Sequence, residues 1–406
     1  MMSKKSPQLR FEGFTDDWEE RKLGDVGDTF TGLTGKTKED FGHGSAKFVT
    51  YVNVFQNPIA TLDQLDAVEI DEKQNQVQKG DVFFTTSSET PEEVGMSSVW
   101  TYDTKNVYLN SFTFGYRPRV SFDLNYMASM LRSPSIRKKI TFLAQGISRY
   151  NISKTKMLEI EIPAPNLSEQ KKIGSFFKLL DDTIALHQRK LDLLKEQKKG
   201  YLQKMFPKNG AKVPELRFAG FADDWEQRKL NEVSDIYDGT HQTPKYQDNG
   251  VMFLSVENIK TLTSNKFISR EAFEDEFKIR PQRGDVLMTR IGDIGTANVV
   301  ETDEDLAYYV SLALFKSEEL NPYFLQASIY APFVQDQIWK RTLHIAFPKK
   351  INKNEIGQVP INVPTLAEQT KIGSFFKQLD NTITLHQRKL DLLKEQKKGF
   401  LQKMFV

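Results

Sequence analysis

Two short stretches of the sequence carry residue types that could do chemistry. NPYF at 321–324 shares Asn, Pro and an aromatic residue with the Asn-Pro-Pro-Tyr/Phe motif of enzymes that methylate a flipped adenine. GLTGKT at 32–37 ends like a phosphate-binding loop. The first stretch lacks the second proline and a Gly-rich cofactor loop, and the second has Phe30 where the loop needs its first glycine. Neither predicts catalysis, and Asn321 is predicted to cap a helix.

Residues that hold metals or act as nucleophiles are scarce. The chain has no cysteine, which excludes disulfides, thiolate zinc sites and cysteine nucleophiles. Its five histidines form no H-E-x-x-H or comparable cluster. The sequence therefore predicts no catalytic residues and no metal site.

The elements that must position any functional loop are repeated along the chain. PQLRFEGFTDDWEERKLGDV at 7–26 returns as PELRFAGFADDWEQRKLNEV at 214–233. Ser168 to Phe206 returns as Ala367 to Phe405 with six of 39 positions changed. Between these blocks lie two diverged regions, so the order is arm, variable region and helix, given twice.

Each variable region is predicted to be an α+β domain. KGDVFFTTSSETPEEVGMSSVW at 79–100 parallels RGDVLMTRIGDIGTANVV at 283–300, and both are strand-rich runs broken by a polar loop. In both regions a predicted helix follows, which begins after Asp or Asn and ends at Pro. We predict four segments with these bounds: a first domain at 1–166, a first long helix at 167–206, a second domain at 207–365 and a second long helix at 366–406.

The long helices carry an apolar heptad seam, and each therefore needs a partner. The other copy is the favoured partner, and packing of each helix on its own domain is the alternative. Two equivalent halves favour two-fold symmetry, which predicts an antiparallel coiled-coil pair. Histidine within the seam can fix its register. The predicted seam residues are Ile173, Phe177, Leu180, Ile184, His187, Leu191, Leu194, Ile372, Phe376, Leu379, Ile383, His386, Leu390 and Leu393.

The charge is unevenly distributed. The two helices together carry roughly +8 of a whole-chain charge of +2, so the remainder of the chain is about −6. The surfaces of the variable regions are therefore not uniformly basic, and this argues against non-specific nucleic-acid binding. The N-terminal stretch has no apolar core of a signal peptide, and no run of about 18 apolar residues occurs. We therefore expect a cytoplasmic protein that does not span a membrane.

The layout resembles the specificity subunit of type I restriction-modification systems. The resemblance rests on GTHQTPKY at 239–246, GDVLMTRIGDIG at 284–295, ISRYNISKTKMLEIEIPAPNLSEQKKIGSFF at 147–177 and the doubled LHQRKLDLLKEQKKG. It covers nearly the whole chain. The first variable region departs from the second, because it has GLTGKTKED in place of GTHQTPKY.

The resemblance implies a non-catalytic DNA reader. Each variable region would be a target recognition domain that reads one half of a bipartite asymmetric site on double-stranded DNA. The helix pair would set the spacer and dock two modification subunits for adenine-N6 methylation. Two restriction subunits would add ATP-dependent cleavage. No cofactor is expected in this chain, and S-adenosylmethionine, ATP and Mg are expected in the partner subunits.

Polar residues on loops are the expected DNA contacts, because such side chains read base edges or bind phosphates. In the first domain we predict Thr34, Lys36, Ser87, Ser88, Glu89, Thr90, Arg149, Tyr150 and Asn151. In the second we predict Thr240, His241, Gln242, Thr243, Lys245, Tyr246, Arg290, Asp293, Lys349 and Lys350.

Two alternatives stay open at this point. Thr and Asp in such loops often only cap turns, and Tyr246 is compatible with a place in the core. The whole chain is also compatible with a tandem-domain scaffold that binds peptides or glycans and recruits partners through its coiled coil.

Overall fold

The computed structural model describes residues 6–405, which divide into two compact units. The first unit contains the chain up to Gln188 and again from Arg388 onward, and the second runs from Arg189 to Gln387. Each unit therefore includes part of both long helices. The mixture of helices and strands in each unit confirms the predicted α+β class.

The first unit consists of short strands and short helices that precede a long helix. In chain order they are β1 (Glu19–Lys22), α1 (Leu23–Val26), β2 (Gly27–Thr31), β3 (Phe41–Val49), α2 (Tyr51–Gln56), β4 (Leu65–Val68), β5 (Val82–Thr85), β6 (Ser87–Ser88), β7 (Ser97–Val99), β8 (Val107–Leu109), β9 (Thr113–Pro118), α3 (Leu124–Leu131), α4 (Pro134–Leu143), β10 (Tyr150–Asn151), α5 (Lys154–Leu158), β11 (Glu161–Ala164) and the long helix α6 (Leu167–Lys204).

The second unit repeats this order with the same number of short helices and fewer strands. Its elements are β12 (Glu226–Lys229), α7 (Leu230–Val233), β13 (Asp235–Asp238), β14 (Val251–Leu254), β15 (Phe267–Ile268), α8 (Arg270–Glu276), β16 (Val286–Thr289), β17 (Ala297–Val299), β18 (Leu306–Tyr308), β19 (Leu312–Lys316), α9 (Pro322–Tyr330), α10 (Pro332–Arg341), α11 (Lys353–Gly357), β20 (Pro360–Val363) and the long helix α12 (Leu366–Lys403).

The two units are built on the same pair of sheets. A four-stranded sheet has the order β2-β9-β5-β7 in the first unit and β13-β19-β16-β17 in the second. A three-stranded sheet has the order β4-β3-β8 in the first and β15-β14-β18 in the second, and each contains one parallel pair. The variable regions have thus diverged in sequence while keeping one topology.

A Gly-Asp turn fixes the start of the central strand β5. Gly80 takes a left-handed conformation with φ of 95°, which glycine adopts at little cost. Asp81 is fully buried, and its carboxylate accepts bonds from the Gln78 amide at 2.7 Å and from the Arg117 guanidinium at 2.8 and 2.7 Å. The second unit repeats the turn with Gly284, Asp285 and Lys316.

Aromatic rings from distant parts of the chain form the core of the first unit. Tyr126 on α3 lies with its ring centroid 6.4 Å from Trp18 and 5.7 Å from Phe405. Phe177 on α6 stacks on Phe405 at 5.6 Å. Burying such a side chain stabilises a fold by about 1.5–3 kcal/mol. The second unit has the equivalent set Phe206, Trp225, Phe324 and Phe376.

The repeated arms and the repeated helices contact each other, which explains why both are repeated. In the first unit the Arg10 guanidinium donates to the buried Glu169 carboxylate at 2.7 and 2.8 Å. The Leu9 amide donates to the carbonyl of Lys403 at 2.9 Å. The arm thus joins the start of α6 to the end of α12. In the second unit the corresponding pairs are Arg217 with Glu368 and Leu216 with Lys204.

The long helices pack antiparallel within each unit, as predicted. In the first unit Phe176 meets Phe400 edge to face at 5.0 Å, and Lys397 binds Asp181 at 2.5 Å. As the residue number rises along α6, that of the partner on α12 falls. The second unit shows the same order with Tyr201 against Phe375 at 5.0 Å and Lys198 bound to Asp380 at 2.5 Å.

The predicted seam residues fall into two groups by burial. Eight are buried: Ile173, Phe177, Leu191, Leu194, Ile372, Phe376, Leu390 and Leu393. Six are half-buried: Leu180, Ile184, His187, Leu379, Ile383 and His386. Ile173 and Phe177 also belong to the globular core of the first unit, and Ile372 and Phe376 to that of the second. Each helix therefore packs both on a partner helix and on a globular core, which combines the two alternatives considered from the sequence.

Capping residues start the helices that precede the candidate loops. Asp123 accepts from the Tyr126 amide at 2.9 Å, and Asn321 accepts from the Tyr323 and Phe324 amides at 3.1 Å. The prediction that Asn321 caps a helix is confirmed. The second helices, α4 and α10, were not predicted; they begin at the prolines where the first helices were predicted to stop. Proline suits the first helical position because its missing N–H is not needed there.

Candidate nucleic-acid interface

Two predicted segments of the first unit lie side by side, although some 60 residues separate them in sequence. Strand β6 pairs antiparallel with β10, so Ser88 lies opposite Tyr150 and Ser87 lies opposite Asn151. The exposed Arg149 donates to the Ser87 hydroxyl at 3.2 Å. This small polar ladder presents hydroxyl, amide and guanidinium groups, which are the groups that bind base edges and phosphates.

The remaining predicted residues of this loop are exposed. Glu89 and Thr90 both face solvent, and the Thr90 amide donates to the Ser88 hydroxyl at 3.4 Å. The Ser88 hydroxyl in turn donates to Glu93 at 3.1 Å. Ser88 therefore holds the turn that follows β6, which is the capping role considered as the alternative for polar loop residues.

Thr34 and Lys36 make their polar contacts elsewhere. Thr34 binds the Gln74 side chain through its amide at 3.1 Å, and Lys36 binds the Asp71 carboxylate at 2.9 Å. The hydrogen bond to Asp71 raises the pKa of Lys36, and the same bond lowers the pKa of Asp71. Both groups therefore stay charged at neutral pH, and the lysine is tied to a carboxylate in this structure.

The second unit brings the equivalent segments together. The Gly292 amide donates to the Lys349 carbonyl at 2.8 Å, and Ile291 forms a β-bridge with Lys350. Lys349, Lys350 and Asp293 are exposed. The Asp293 carboxylate accepts from the Thr296 hydroxyl at 2.9 Å, which orders the turn between β16 and β17.

Arg290 has a different place from the one expected of a base-reading residue. Its side chain is buried, and the guanidinium binds the Asp238 carboxylate and the Ile351 carbonyl, the latter at 3.1 Å. Its backbone carbonyl accepts from the Ile351 amide at 3.0 Å. These bonds join the segment after β16 to Asp238 and Ile351, and a DNA contact by Arg290 stays a prediction.

The segment 240–246 combines an anchor with exposed side chains. Thr240 is buried and its hydroxyl binds Glu276, while its carbonyl accepts from the Val310 amide at 2.8 Å. Tyr246 is exposed and meets Phe253 edge to face at 5.6 Å, so it lies at the edge of the core. The other predicted contacts of this segment are exposed: His241, Gln242, Thr243 and Lys245.

A side chain that was not predicted supports the first loop from the side of α4. Arg137 on α4 donates to the carbonyls of Glu92, Val94 and Gly95 at 2.7, 2.6 and 2.7 Å. Burial lowers the pKa of Arg137 to about 10, which leaves it charged at neutral pH. In the second unit Gln335 donates to the Gly295 carbonyl at 2.9 Å. An Arg or Gln one turn after the proline of the second helix is the only sequence signal for this role.

Replacing Arg137 with alanine should loosen the loop that carries Ser87 and Ser88. The change leaves the carbonyls of residues 92, 94 and 95 without their donor, and each lost charged hydrogen bond costs about 1.5–3 kcal/mol. We expect amide hydrogen exchange in residues 86–95 to accelerate by about tenfold or more. Lys138→Ala on the exposed face of the same helix is the matched control and should leave exchange unchanged. Equal protection in both variants would contradict the support role.

Two other kinds of site are absent from residues 6–405. No group of three or more His, Asp or Glu side chains in that range could hold a metal ion. Among the helices described there, none is both long and apolar enough to cross a bilayer.

Comparison with known proteins agrees with the architecture. The curated relative MjaVIII, a type I restriction enzyme specificity subunit of Methanocaldococcus jannaschii, is 25% identical over 287 residues, which cover 66% of this chain and 67% of the relative. The crystal structure of a type I restriction-modification S subunit from M. genitalium has a TM-score of 0.66 at 15% identity and covers 99% of both chains. A structure solved in work on assembly of the type I R-M system has a TM-score of 0.55 at 18% identity and covers 95% of this chain and 96% of its own.

The family comparison covers both repeats. The sequence model of the type I restriction modification DNA specificity domain matches residues 15–196 and 222–395, one match for each repeat. Since these matches span most of the sequence, the chain belongs to this family and is a DNA specificity subunit of a type I restriction-modification system.

Proposed function

We propose that each unit carries one target recognition domain and that each domain reads one half of a bipartite, asymmetric DNA site. One observation carries the proposal: in both units the loop after the central strand adjoins the segment after the second helix, while the side chains there differ. A shared frame with different polar groups suits two readers of different sequences. Family membership favours DNA over the peptides or glycans considered from the sequence.

The specificity subunit is itself non-catalytic and carries no cofactor. It works in a type I complex with partner subunits and DNA. We place the recognition domains at 1–166 and 207–365 and the segments that contain the long helices at 167–206 and 366–406; residues 1–5 and 406 of these ranges lie outside the residues that the structure describes. The complex would act in the cytoplasm, where its DNA lies, with S-adenosylmethionine, ATP and Mg bound by the partner subunits.

The long helices would serve as the platform for two modification subunits. Leu179 and Leu186 on α6 and Leu392 on α12 are each more than half exposed in the first unit. Leu193 and Leu385 are as exposed in the second. Repeated leucines on a helix surface that is otherwise charged are typical of a protein interface. Two restriction subunits would join the same assembly for ATP-dependent cleavage.

The methylation pattern in cells tests the proposed function. Cells that carry this chain and its modification partner are expected to contain N6-methyladenine in one motif with two specified halves and an unspecified spacer of constant length. Sequencing that detects N6-methyladenine reads this motif directly, and cells with the modification partner alone are the control. A continuous motif without a spacer, or the same motif in the control cells, would reject the two-reader arrangement.

A further inference from the structure

Each unit has a short closed loop between its second helix and its last short helix. In the first unit the amides of Gln145 and Asn151 donate to each other's carbonyls at 2.9 and 2.8 Å, which closes the loop 145–151. In the second unit the Leu343 amide donates to the Lys350 carbonyl at 2.8 Å, which closes the loop 343–350. These two segments, called the tip loops below, occupy equivalent places in the two units.

Both tip loops point an isoleucine into solvent. Ile147 is 96% exposed and Ile345 is 100% exposed, and each stands two residues after the bridge that opens its loop. Phe347 in the second loop is also fully exposed. Single exposed apolar residues are common, but complete exposure of large ones at the same loop position in two diverged domains indicates a shared contact.

Local contacts hold the second tip loop in place. The Trp339 ring on α10 lies 4.2 Å from the His344 ring and 4.7 Å from the Lys349 ammonium. A ring nitrogen of His344 bonds the Trp339 carbonyl at 2.9 Å. A loop that is ordered before binding loses less conformational entropy when a partner arrives. The exposed apolar residues are therefore presented on a supported surface.

The positive charge of the tip loops favours nucleic acid as the partner. The tip loops contain Arg149 in the first unit and Lys349 and Lys350 in the second, and neither contains an Asp or Glu. Each loop also adjoins the candidate interface, through Arg149 on Ser87 at 3.2 Å and through Lys349 on Gly292 at 2.8 Å. Positive charge beside an apolar tip suits a duplex, which offers phosphates next to sugar and base surfaces.

We propose that Ile147 and Ile345, with Phe347 beside the latter, make apolar contacts with the sugar and base surface of the DNA. Because both recognition domains use the same residue type there, the contact contributes affinity at both half-sites and does not select the base. This inference rests on the proposed DNA-reading function. It assigns a binding role to apolar side chains, which have no hydrogen-bonding groups.

Salt-dependent DNA binding by the assembled complex tests the inference. Ile147→Ala and Ile345→Ala, each in the full chain with its modification subunit, should weaken binding by about tenfold, since a buried isoleucine side chain contributes on this scale. The loss should be equal for a duplex with the methylated motif and for mixed-sequence DNA, with an unchanged slope of log affinity against log salt. Lys350→Ala should instead lower that slope by about 1. Ile70→Ala and Ile279→Ala, at exposed sites elsewhere in the two units, are the matched controls.

The possible outcomes separate the inference from the function on which it rests. Wild-type affinity in both tip variants, together with a lowered slope in Lys350→Ala, would overturn the tip contact and leave the DNA face intact. Wild-type binding in all three variants would overturn the DNA face of the second unit as well. Loss of the modification subunit from the tip variants would assign the tips to a protein contact and also overturn the inference.

Discussion

Replacing Arg149 with alanine is expected to relax methylation specificity at one half of the DNA site and to leave the other half required. Arg149 is exposed, and it stands beside Ser87 on the polar ladder of the first unit. A well-placed arginine contributes about 1–3 kcal/mol of discrimination between bases, so we expect about 5- to 150-fold more methylation of sites altered at one position. Sequencing of N6-methyladenine across a library of altered half-sites measures this ratio.

Two further variants control this experiment. Arg21→Ala removes an arginine from the arm strand β1, away from the ladder, and should keep the wild-type motif. Lys350→Ala acts in the second unit, so any change of specificity should fall on the other half of the motif. A uniform fall in methylation of all sites by Arg149→Ala would instead identify a phosphate contact, because phosphates carry no sequence information.

Inserting seven residues into both long helices is expected to lengthen the spacer of the recognised motif by about three base pairs. Seven helical residues rise about 10 Å, and one base pair of duplex rises about 3.4 Å. A copy of residues 188–194 in α6 and of 387–393 in α12 keeps the heptad pattern. Methylation mapping in cells gives the new spacer, and an unchanged spacer would reject the role of the helices as a ruler.

Insertion into one helix alone is the matched control. It would displace one helix by a heptad against the other over part of its length, so that the pairs of Lys198 with Asp380 and of Lys397 with Asp181 cannot both form. We expect the single insertion to abolish methylation, while the double insertion retains it. Retained methylation with a single insertion would show that the pairing register of the helices is dispensable.

The sequence repeats made the two domains and the two long helices predictable. They did not indicate the side-chain contacts that hold these elements together. Near identity of the helices and an apolar heptad sufficed to predict two long antiparallel helices. The bond between Arg10 and the buried Glu169 joins residues 159 positions apart, and no local pattern indicates it. The second helices α4 and α10 were missed because a proline reads equally well as the end of one helix and the start of another.

The candidate interface was predictable as loops and not as side chains. The sequence singled out both segments that form the polar ladder, since polar residues between strands rarely serve a core. It could not show that Arg290 turns inward, because its partner Asp238 lies 52 residues earlier on another strand. The ion pair of Lys36 with Asp71 could not be predicted for the same reason, because the two residues lie on different segments of the chain. Ile147 and Ile345 were not predicted as contacts, because an apolar residue in a sequence is assigned first to the core.

The place of Phe405 has a consequence for folding. Together with Met404 it fills the core of the first unit against Tyr126 and Phe177, whereas the second unit is complete at Gln387. At about 5–20 residues per second, a ribosome needs about 10–40 s to make the intervening stretch after α6. During that interval the nascent first unit exposes apolar surface, and its closing contacts are of high sequence separation, which slows folding. The unit that synthesis begins first is thus the one that it finishes last.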